Sequence, residues 1–239
     1  MKTAVVNTAN LLALQNAFRR LSSPMADIPR MAVIHGFAGA GKTTATGWLA
    51  VKHNALFFRS WPVWTPSSLL KEMTDALKLD VGRTNAERLN AIITVLRNSN
   101  RPVFFDDCDQ LFLCNDPHKL FEIIRLIHDQ TDSQVIFVGQ EKFAPKLRRW
   151  EQLASRISEH VEFTPLSLKD ASAIAVARCE VEVAPDLMGH LHQQSGGRAR
   201  RVVVGLSAIE AYAQEQGIDR VDLARWQQSD RKFFLVEMQ

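Results

Sequence analysis

The sequence predicts an α/β fold, in which a five-stranded parallel sheet flanked by helices is followed by a small, all-helical C-terminal domain. Short apolar segments alternate with amphipathic helical patterns as far as residue 165, which is typical of a parallel sheet covered on both faces. The first apolar segment leads into a glycine-rich stretch at 36–43, and a helical pattern follows it. After Pro165 no further strand is convincing, and the remaining helical patterns predict the C-terminal domain.

Five apolar segments are expected to form the strands: Met31–His35, Ala55–Arg59, Val103–Asp106, Val135–Gly139 and His160–Phe163. Four helices are expected between them: Lys42–His53, Ser67–Leu77, Asn85–Asn98 and His118–Asp129. Thr65 and Pro66 mark the start of the second of these helices, because threonine caps free N–H groups and proline is tolerated in the first turn.

The regions that flank the sheet are predicted to be helical. One helix covers Leu11–Leu21, and four short helices follow the sheet: Asp170–Cys179, Pro185–Gln194, Ala199–Gln214 and Val221–Gln228. The predicted domains are an N-terminal helical extension (1–24), the sheet domain (25–165), the helical lid domain (166–230) and a C-terminal tail (231–239). The tail is basic and then apolar, which suits either docking to a partner or packing against the helical domain.

Composition restricts the class of protein. The chain has 239 residues, of which 46% are hydrophobic and 23% charged, as in ordinary globular proteins. Cys108, Cys114 and Cys179 are odd in number and lack metal-ligand spacing, so we expect reduced thiols in a cytoplasmic protein. No apolar run is long enough to span a bilayer, so no membrane partner is expected. The net charge of +3 permits a polyanionic partner without requiring one.

The stretch 36–43 reads GFAGAGKT and matches the phosphate-binding motif G-x-x-x-x-G-K-[ST] at every fixed position. Its glycines let backbone N–H groups turn onto phosphate oxygens, and the next helix presents its positive N-terminal end to the same charge. Lys42 is expected to reach the β- and γ-phosphates, and Thr43 to supply a hydroxyl to Mg²⁺. The predicted nucleotide-binding residues are Gly36, Phe37, Ala38, Gly39, Ala40, Gly41, Lys42, Thr43 and Thr44.

The third predicted strand ends in a pair of carboxylates. Asp106 is expected to hold Mg²⁺, directly or through water, and Asp107 to orient and polarise the water that attacks the γ-phosphate. The alternative interpretation is an acidic strand-to-loop turn without a metal. The upstream phosphate-binding motif favours the metal site.

Together these motifs resemble those of AAA+ ATPases, and more narrowly the transposition-regulating ATPases typified by the B protein of phage Mu. The resemblance covers about residues 25 to 215. Besides the two motifs above, it is carried by three segments: Val135–Gln140, Ala154–Ile157 and Gly196–Arg200. It implies that the nucleotide is ATP and that the protein is an ATPase.

The resemblance also implies roles for further residues. Gln140 matches the sensor of the γ-phosphate, and Arg156 matches the arginine finger that reaches a neighbouring subunit's ATP. Arg200 matches a second sensor on the lid, with Arg201 as the alternative if the register differs by one. The alternative for each arginine is a surface ion pair, which contributes little to stability.

The chain departs from the family pattern in two places. Asp107 stands where the family has Glu, and a carboxylate withdrawn by one methylene is expected to make hydrolysis slow, as in a switch. Residues 1–24 are also too few to hold the additional DNA-binding domain of the phage Mu protein.

The resemblance further implies ATP-dependent, sequence-nonspecific binding of double-stranded DNA by a homo-oligomer, as a helical filament or ring, with a transposase as partner. The residues that could face the DNA are Lys71, Arg83, Thr84 and Lys119, together with Lys78 and Arg125. Four of them, Lys71, Lys78, Lys119 and Arg125, are expected on helices, and a solvated helix face is the alternative for each of these. A denser cluster, Lys142, Lys146, Arg148 and Arg149, suits DNA or a subunit interface. Trp61 and Trp64 suit base stacking or, preferably, packing beneath their loop.

Other functions fit parts of the pattern. An AAA+ ATPase with another client, of the secretion or replication-loader type, would use the same site. A small-molecule kinase also needs the phosphate-binding motif, but it leaves Arg156 and the helical domain unexplained. A nucleotide-gated scaffold would need ATP binding alone, and Asp107 keeps this hypothesis open.

Overall fold

The computed structural model describes residues 1–23 and 28–234. The strands in this part of the chain are β1 (Met31–Gly36), β2 (Leu56–Arg59), β3 (Val103–Asp106), β4 (Val135–Val138), β5 (Ile157–Phe163), β6 (Glu182–Val183) and β7 (Arg220–Val221). The helices are α1 (Ala9–Leu21), α2 (Lys42–Lys52), α3 (Pro66–Ala76), α4 (Asn85–Ser99), α5 (Pro117–Thr131), α6 (Phe143–Leu147), α7 (Glu151–Ala154), α8 (Leu168–Arg178), α9 (Pro185–Ser195), α10 (Ala199–Gln216) and α11 (Leu223–Gln228).

The predicted five-stranded sheet is confirmed, with the strand order β2-β3-β4-β1-β5. The pairs β2–β3, β3–β4 and β4–β1 are parallel. Every residue of β3 and β4 is buried, as expected for central strands covered on both faces. β5 begins at Ile157, earlier than predicted. The sequence did not reveal this start because the first half of the strand alternates between partly buried and exposed residues and lacks an apolar run.

The register brings the carboxyl ends of the strands to one edge. Ile34 pairs with Val138, and Arg59 pairs with Asp106. The loops that follow β1, β2, β3 and β4 therefore leave the sheet side by side, which is where ligands bind in open α/β sheets. A buried stack of Phe58, Phe105 and Phe137 holds neighbouring strands together, with ring centroids 5.6 and 6.0 Å apart.

The predicted helices between the strands are confirmed, with ends that shift by one or two residues. The start of α3 follows the predicted chemistry: the Thr65 side chain accepts from the Ser68 N–H, and Pro66 occupies the first turn. Thr84 and Glu87 form an equivalent capping box at the start of α4. Lys78, expected on a helix, lies beyond the end of α3 with a left-handed φ of 54°.

The chain divides into two compact units. The sheet unit contains Ala13–Gly36 and Lys42–Glu162. The helical unit contains Met1–Leu12, the loop segment Phe37–Gly41, and the chain from Phe163 onward. No helix within the described ranges is long and apolar enough to cross a membrane. All three cysteines are buried and free, as expected of reduced thiols.

The helical unit contains the four predicted C-terminal helices, α8 to α11, around an apolar core. The prediction that no strand follows Pro165 is wrong, because β6 and β7 pair in parallel through Glu182–Arg220 and Val183–Val221. A two-residue bridge has no alternating pattern that the sequence could reveal. Three short elements in the sheet unit were also not predicted, namely α6, α7 and a 3₁₀ helix at Cys108–Leu113.

The beginning of the tail packs against its own unit. Phe233 is 7% exposed and stacks on Trp226, with ring centroids 4.8 Å apart. Phe234 lies against the guanidinium of Arg201 at 4.0 Å. Of the two interpretations of the tail, packing therefore applies to these residues, while 235–239 lie outside the described residues.

Candidate nucleotide-binding site

The phosphate-binding motif forms the predicted strand–loop–helix. β1 ends at Gly36, the loop follows, and α2 begins at Lys42. Gly39 and Gly41 have φ values of 82° and 91°, in a region that residues with a Cβ rarely adopt. The sequence folds this way because glycine alone permits both positive φ values without strain.

Lys42 lies at the start of α2 and is partly buried. Its Nζ donates to the carbonyl oxygen of Gly36 at 2.7 Å. Burial lowers the pKa of Lys42, while the carboxylates of Asp106 and Asp109 oppose that shift. The ammonium is thus held at the mouth of the loop among acidic side chains, where a lysine that binds phosphates is expected.

Asp106 ends β3 and is only 2% exposed. The Thr43 hydroxyl hydrogen-bonds to its carboxylate, but its Oδ2 atom is buried and has no hydrogen-bond partner among the described residues. Burial raises the pKa of this carboxyl. A buried, unpartnered carboxylate oxygen beside a hydroxyl is the donor set that fits Mg²⁺, which takes oxygen ligands and keeps several waters. The described residues contain no separate cluster of three or more His, Cys, Asp or Glu that could hold a metal.

Asp107 follows at a sharp backbone bend, with φ 52° and ψ 38°. Its Oδ2 accepts from the Nε of Arg59 at 2.9 Å, and the carboxylate remains 38% exposed. Sequence analysis missed Arg59. The residue ends β2, but the strand order that places it beside Asp106 is not visible in the sequence.

Gln140 is exposed just beyond β4, as predicted from the strand end. Its backbone N–H donates to Oδ2 of Asp109 at 2.6 Å, which ties the loop after β4 to the loop after β3. Asp109 was not predicted to have a role, although it lies two residues after Asp107. Gly139 is required by packing, since a Cβ there would lie 2.3 Å from Cγ of Phe143.

Arg156 is held by its own subunit. Its Nε and Nη2 donate to the two carboxylate oxygens of Asp129 at 2.5 and 2.8 Å, and Nη1 donates to the Gln152 carbonyl. Asp129 also accepts from Arg125 at 2.7 Å. The predicted finger therefore lies in an intramolecular ion pair, which is the alternative that sequence analysis left open.

Within the helical unit, the first turn of α10 contacts the tip of the phosphate-binding loop. The N–H of Arg200 donates to the Gly39 carbonyl at 3.0 Å, and the guanidinium of Arg198 lies over the Phe37 ring at 5.4 Å. The side chain of Arg200 is exposed, whereas Arg201 packs against Phe234. Arg200 therefore lies beside the phosphate-binding loop, and its role as a sensor stays a prediction. Arg198 is a neighbour that sequence analysis missed.

The predicted DNA-contacting residues are spread over three helices and are partly engaged. Lys71 pairs with Asp75 on α3, and the Thr84 hydroxyl donates to Glu87 at 2.8 Å within the capping box. Arg125 pairs with Glu122 and Asp129. Arg83 lies in the loop before α4 and Lys119 lies on α5, and both side chains are exposed.

The two tryptophans after β2 differ. Trp64 is 4% exposed, and its Nε1 donates to Glu72 at 3.0 Å, so packing is its role. Trp61 is 52% exposed.

Comparison with known proteins decides the family. Residues 27–147, just over half of the chain, match the family model described as AAA domain. The chain belongs to the AAA domain family. No curated protein matches it.

Several solved structures share the fold of this AAA domain. Cdc6p from Pyrobaculum aerophilum is 20% identical with a TM-score of 0.64, covering 88% of this chain and 62% of its own. Orc1 from Aeropyrum pernix, solved in complex with DNA, is 18% identical with a TM-score of 0.60, and the match covers 94% of this chain and 65% of the Orc1 chain. The Thermotoga maritima RuvB Holliday junction branch migration motor is 17% identical with a TM-score of 0.58, and the match covers 91% of this chain and 65% of the RuvB chain. The AAA domain chain thus spans less than two thirds of each of these proteins.

Proposed function

We propose that this AAA domain protein is an ATP-dependent, sequence-nonspecific DNA-binding ATPase that assembles on duplex DNA and recruits or stimulates a transposase. The observation that carries the ATPase part is the buried, unpartnered Oδ2 of Asp106, bonded through its carboxylate to Thr43 beside the phosphate-binding loop. Fold likeness to an Orc1 protein in complex with DNA supports the DNA part. The transposase as partner rests on the sequence resemblance.

The residues of the sheet unit have distinct tasks in this proposal. Lys42 binds the β- and γ-phosphates, and Thr43 and Asp106 hold Mg²⁺, which neutralises phosphate charge when bound. Asp107 orients the attacking water, and Gln140 senses the γ-phosphate on a loop that Asp109 fixes. Because Asp107 is held by Arg59 and is one methylene shorter than Glu, hydrolysis is slow and serves as a switch.

Assembly completes the site in this proposal. Arg156 acts as the finger only if it exchanges Asp129 for the phosphates of a neighbouring subunit. A carboxylate and a phosphate group each offer two oxygen acceptors to a guanidinium, so the exchange conserves the arginine's bidentate hydrogen bonds. ATP is then the factor that joins subunits, and hydrolysis releases them.

The experiment that tests the proposal is filter binding of duplex DNA with ATP, with ADP and without nucleotide. We expect tight binding only with ATP, and Lys42→Ala should abolish that difference because it removes the phosphate contact. If DNA binding were absent in all three states, the DNA function and the transposase would both be wrong. The slow-switch part is checked by Asp107→Glu, which should hydrolyse ATP faster than the natural protein.

A second candidate client is a replication complex, of the loader type. The fold that the chain shares with Cdc6p and Orc1 supports this alternative. A strand-transfer assay with a transposase distinguishes the two hypotheses. Stimulation of strand transfer that depends on ATP supports the transposition role. ATP-dependent DNA binding without any stimulation favours the loader type.

A further inference from the structure

A basic face lies between β4 and β5, outside the nucleotide site. It consists of Lys142, Lys146, Arg148 and Arg149, all of which are exposed. No acidic residue interrupts 142–149, and Glu141 and Glu151 lie beyond its two ends. Four cations therefore share a short stretch of α6 and the turn that follows it.

The fold fixes the orientation of this basic face. Phe143, Ala144 and Leu147 are buried in the core of the sheet unit, so the opposite side of α6 must face solvent. Phe143 packs at 5.8 Å from the Phe112 ring, an approach that Gly139 permits. The cations therefore lie on the exposed side of a helix whose other side is packed in the core.

The cations of the basic face are not neutralised by the protein itself. The side chains of Lys142, Arg148 and Arg149 form no hydrogen bond or ion pair with any residue in the described ranges. The ammonium of Lys146 lies over the Phe112 ring, 5.4 Å from its centroid, and this contact does not neutralise the positive charge of the lysine. The field of Arg148 is felt on the neighbouring strand, where burial and then Arg148 lower the pKa of His160.

Three of the residues that sequence analysis assigned to DNA already have partners, whereas Arg83 and Lys119 are exposed. Lys71 and Arg125 already pair with carboxylates, and Thr84 uses its hydroxyl in a helix cap. A cation that is already paired gains less from a phosphate, because the existing partner must first be displaced. The electrostatics therefore favour the basic face over the predicted surface.

We infer that the basic face binds the sugar-phosphate backbone of duplex DNA. This inference rests on the proposed function and adds the surface that performs it. Contacts from lysine and arginine to phosphates carry no sequence information, which suits sequence-nonspecific binding. Each neutralised phosphate releases counterions, so the contacts are measurable as a salt dependence.

The test compares three charge-matched variants with the natural protein, using a fluorescent duplex and ATP across a series of salt concentrations. The first carries Lys142→Gln, Arg148→Gln and Arg149→Gln. The second carries Lys71→Gln, Arg83→Gln and Lys119→Gln, the surface predicted from sequence. The control carries the same substitution at three exposed cations elsewhere in the chain: Lys2, Arg19 and Lys169.

The expected result is a loss of salt dependence in the first variant alone. The slope of log K against log salt concentration should become shallower by about 2 to 3, because each lost phosphate contact removes about 0.9 from the slope. The affinity at 0.1 M salt should fall by on the order of 100-fold. An unchanged slope in this variant would overturn the inference, as would an equal fall in the second variant. If the natural protein binds no DNA at all, the proposed function fails instead.

Subunit contact is the other role that this surface could have, so assembly is measured without DNA. Sedimentation with ATP should show the same oligomers for the first variant and the natural protein. Loss of assembly in the absence of DNA would show that the basic face binds a second copy of the chain, and the inference would be wrong.

Discussion

The buried carboxylate of Asp106 allows a sharp test of the metal site. Asp106→Asn keeps the size of the side chain and an acceptor for Thr43, but it removes the charge. The residue is 2% exposed and Oδ2 has no partner in the described residues, so the ionised form is poorly compensated in the nucleotide-free protein. An unsatisfied buried group costs about 1–3 kcal/mol, and a charged one more.

The variant should therefore be more stable than the natural protein when no nucleotide is present. We expect the free energy of unfolding to rise by about 1–2 kcal/mol at neutral pH, because a buried amide costs less than a buried charge. For a chain of this size, that corresponds to a rise in Tm of about 2–8 °C.

The effect of ligand should have the opposite sign. A ligand that binds only the folded state at a hundredfold excess over Kd stabilises by about 2.7 kcal/mol. The natural protein should gain this with ATP and Mg²⁺ and much less with ATP and EDTA. Asp106→Asn should lose most of the Mg²⁺-dependent gain because it lacks a metal ligand.

Thermal unfolding under these three conditions measures both effects. Asp75→Asn is the matched control, since Asp75 pairs with Lys71 at the surface and exposed pairs contribute about 0–1 kcal/mol. A variant that is less stable without nucleotide and keeps the full Mg²⁺-dependent gain would refute the assignment of Asp106.

The pH dependence follows from the same carboxylate. Burial raises the pKa of Asp106 above its value in the unfolded chain, so the ionised form destabilises the nucleotide-free fold. This cost is present above the folded-state pKa and disappears as the pH falls through it. The stability difference between Asp106→Asn and the natural protein should therefore shrink on acidification from neutral pH, and a constant difference would contradict the assigned cause.

Three further predictions concern the neighbouring loops. Asp109→Ala should lower kcat by freeing the Gln140 backbone, and Asp109→Asn, which keeps an acceptor, should lower it less in the same ATPase assay. Gly39→Ala should lower the free energy of unfolding by about 1–2 kcal/mol in a denaturant titration, since a Cβ at φ 82° costs about that much and the loop has this φ without nucleotide; unchanged stability would show that the loop adopts another conformation at no cost. Arg156→Ala should lower hydrolysis while ATP affinity stays near normal, and a complete loss of affinity would contradict the finger role.

The fold was predictable because its signals are local. A parallel sheet covered on both faces needs largely apolar strands, and the apolar runs Val103–Phe105 in β3 and Val135–Val138 in β4 show this. Thr65 and Pro66 predicted the start of α3 through cap chemistry that depends only on neighbouring residues. The bridge between β6 and β7 was not predictable, because two residues show no period and their pairing joins distant parts of the chain.

The candidate site divides in the same way. The sequence by itself determined the phosphate-binding loop, with Lys42 and Thr43, and the carboxylate of Asp106, because spacing and strand position dictate their chemistry. Only the tertiary structure placed Arg59 against Asp107, Asp129 against Arg156 and Asp109 against the Gln140 backbone. A motif spans only a few residues, and it determines which chemistry a side chain is able to perform. Which partner holds that side chain depends on strand order and packing between segments far apart in sequence, and only the folded protein brings those together.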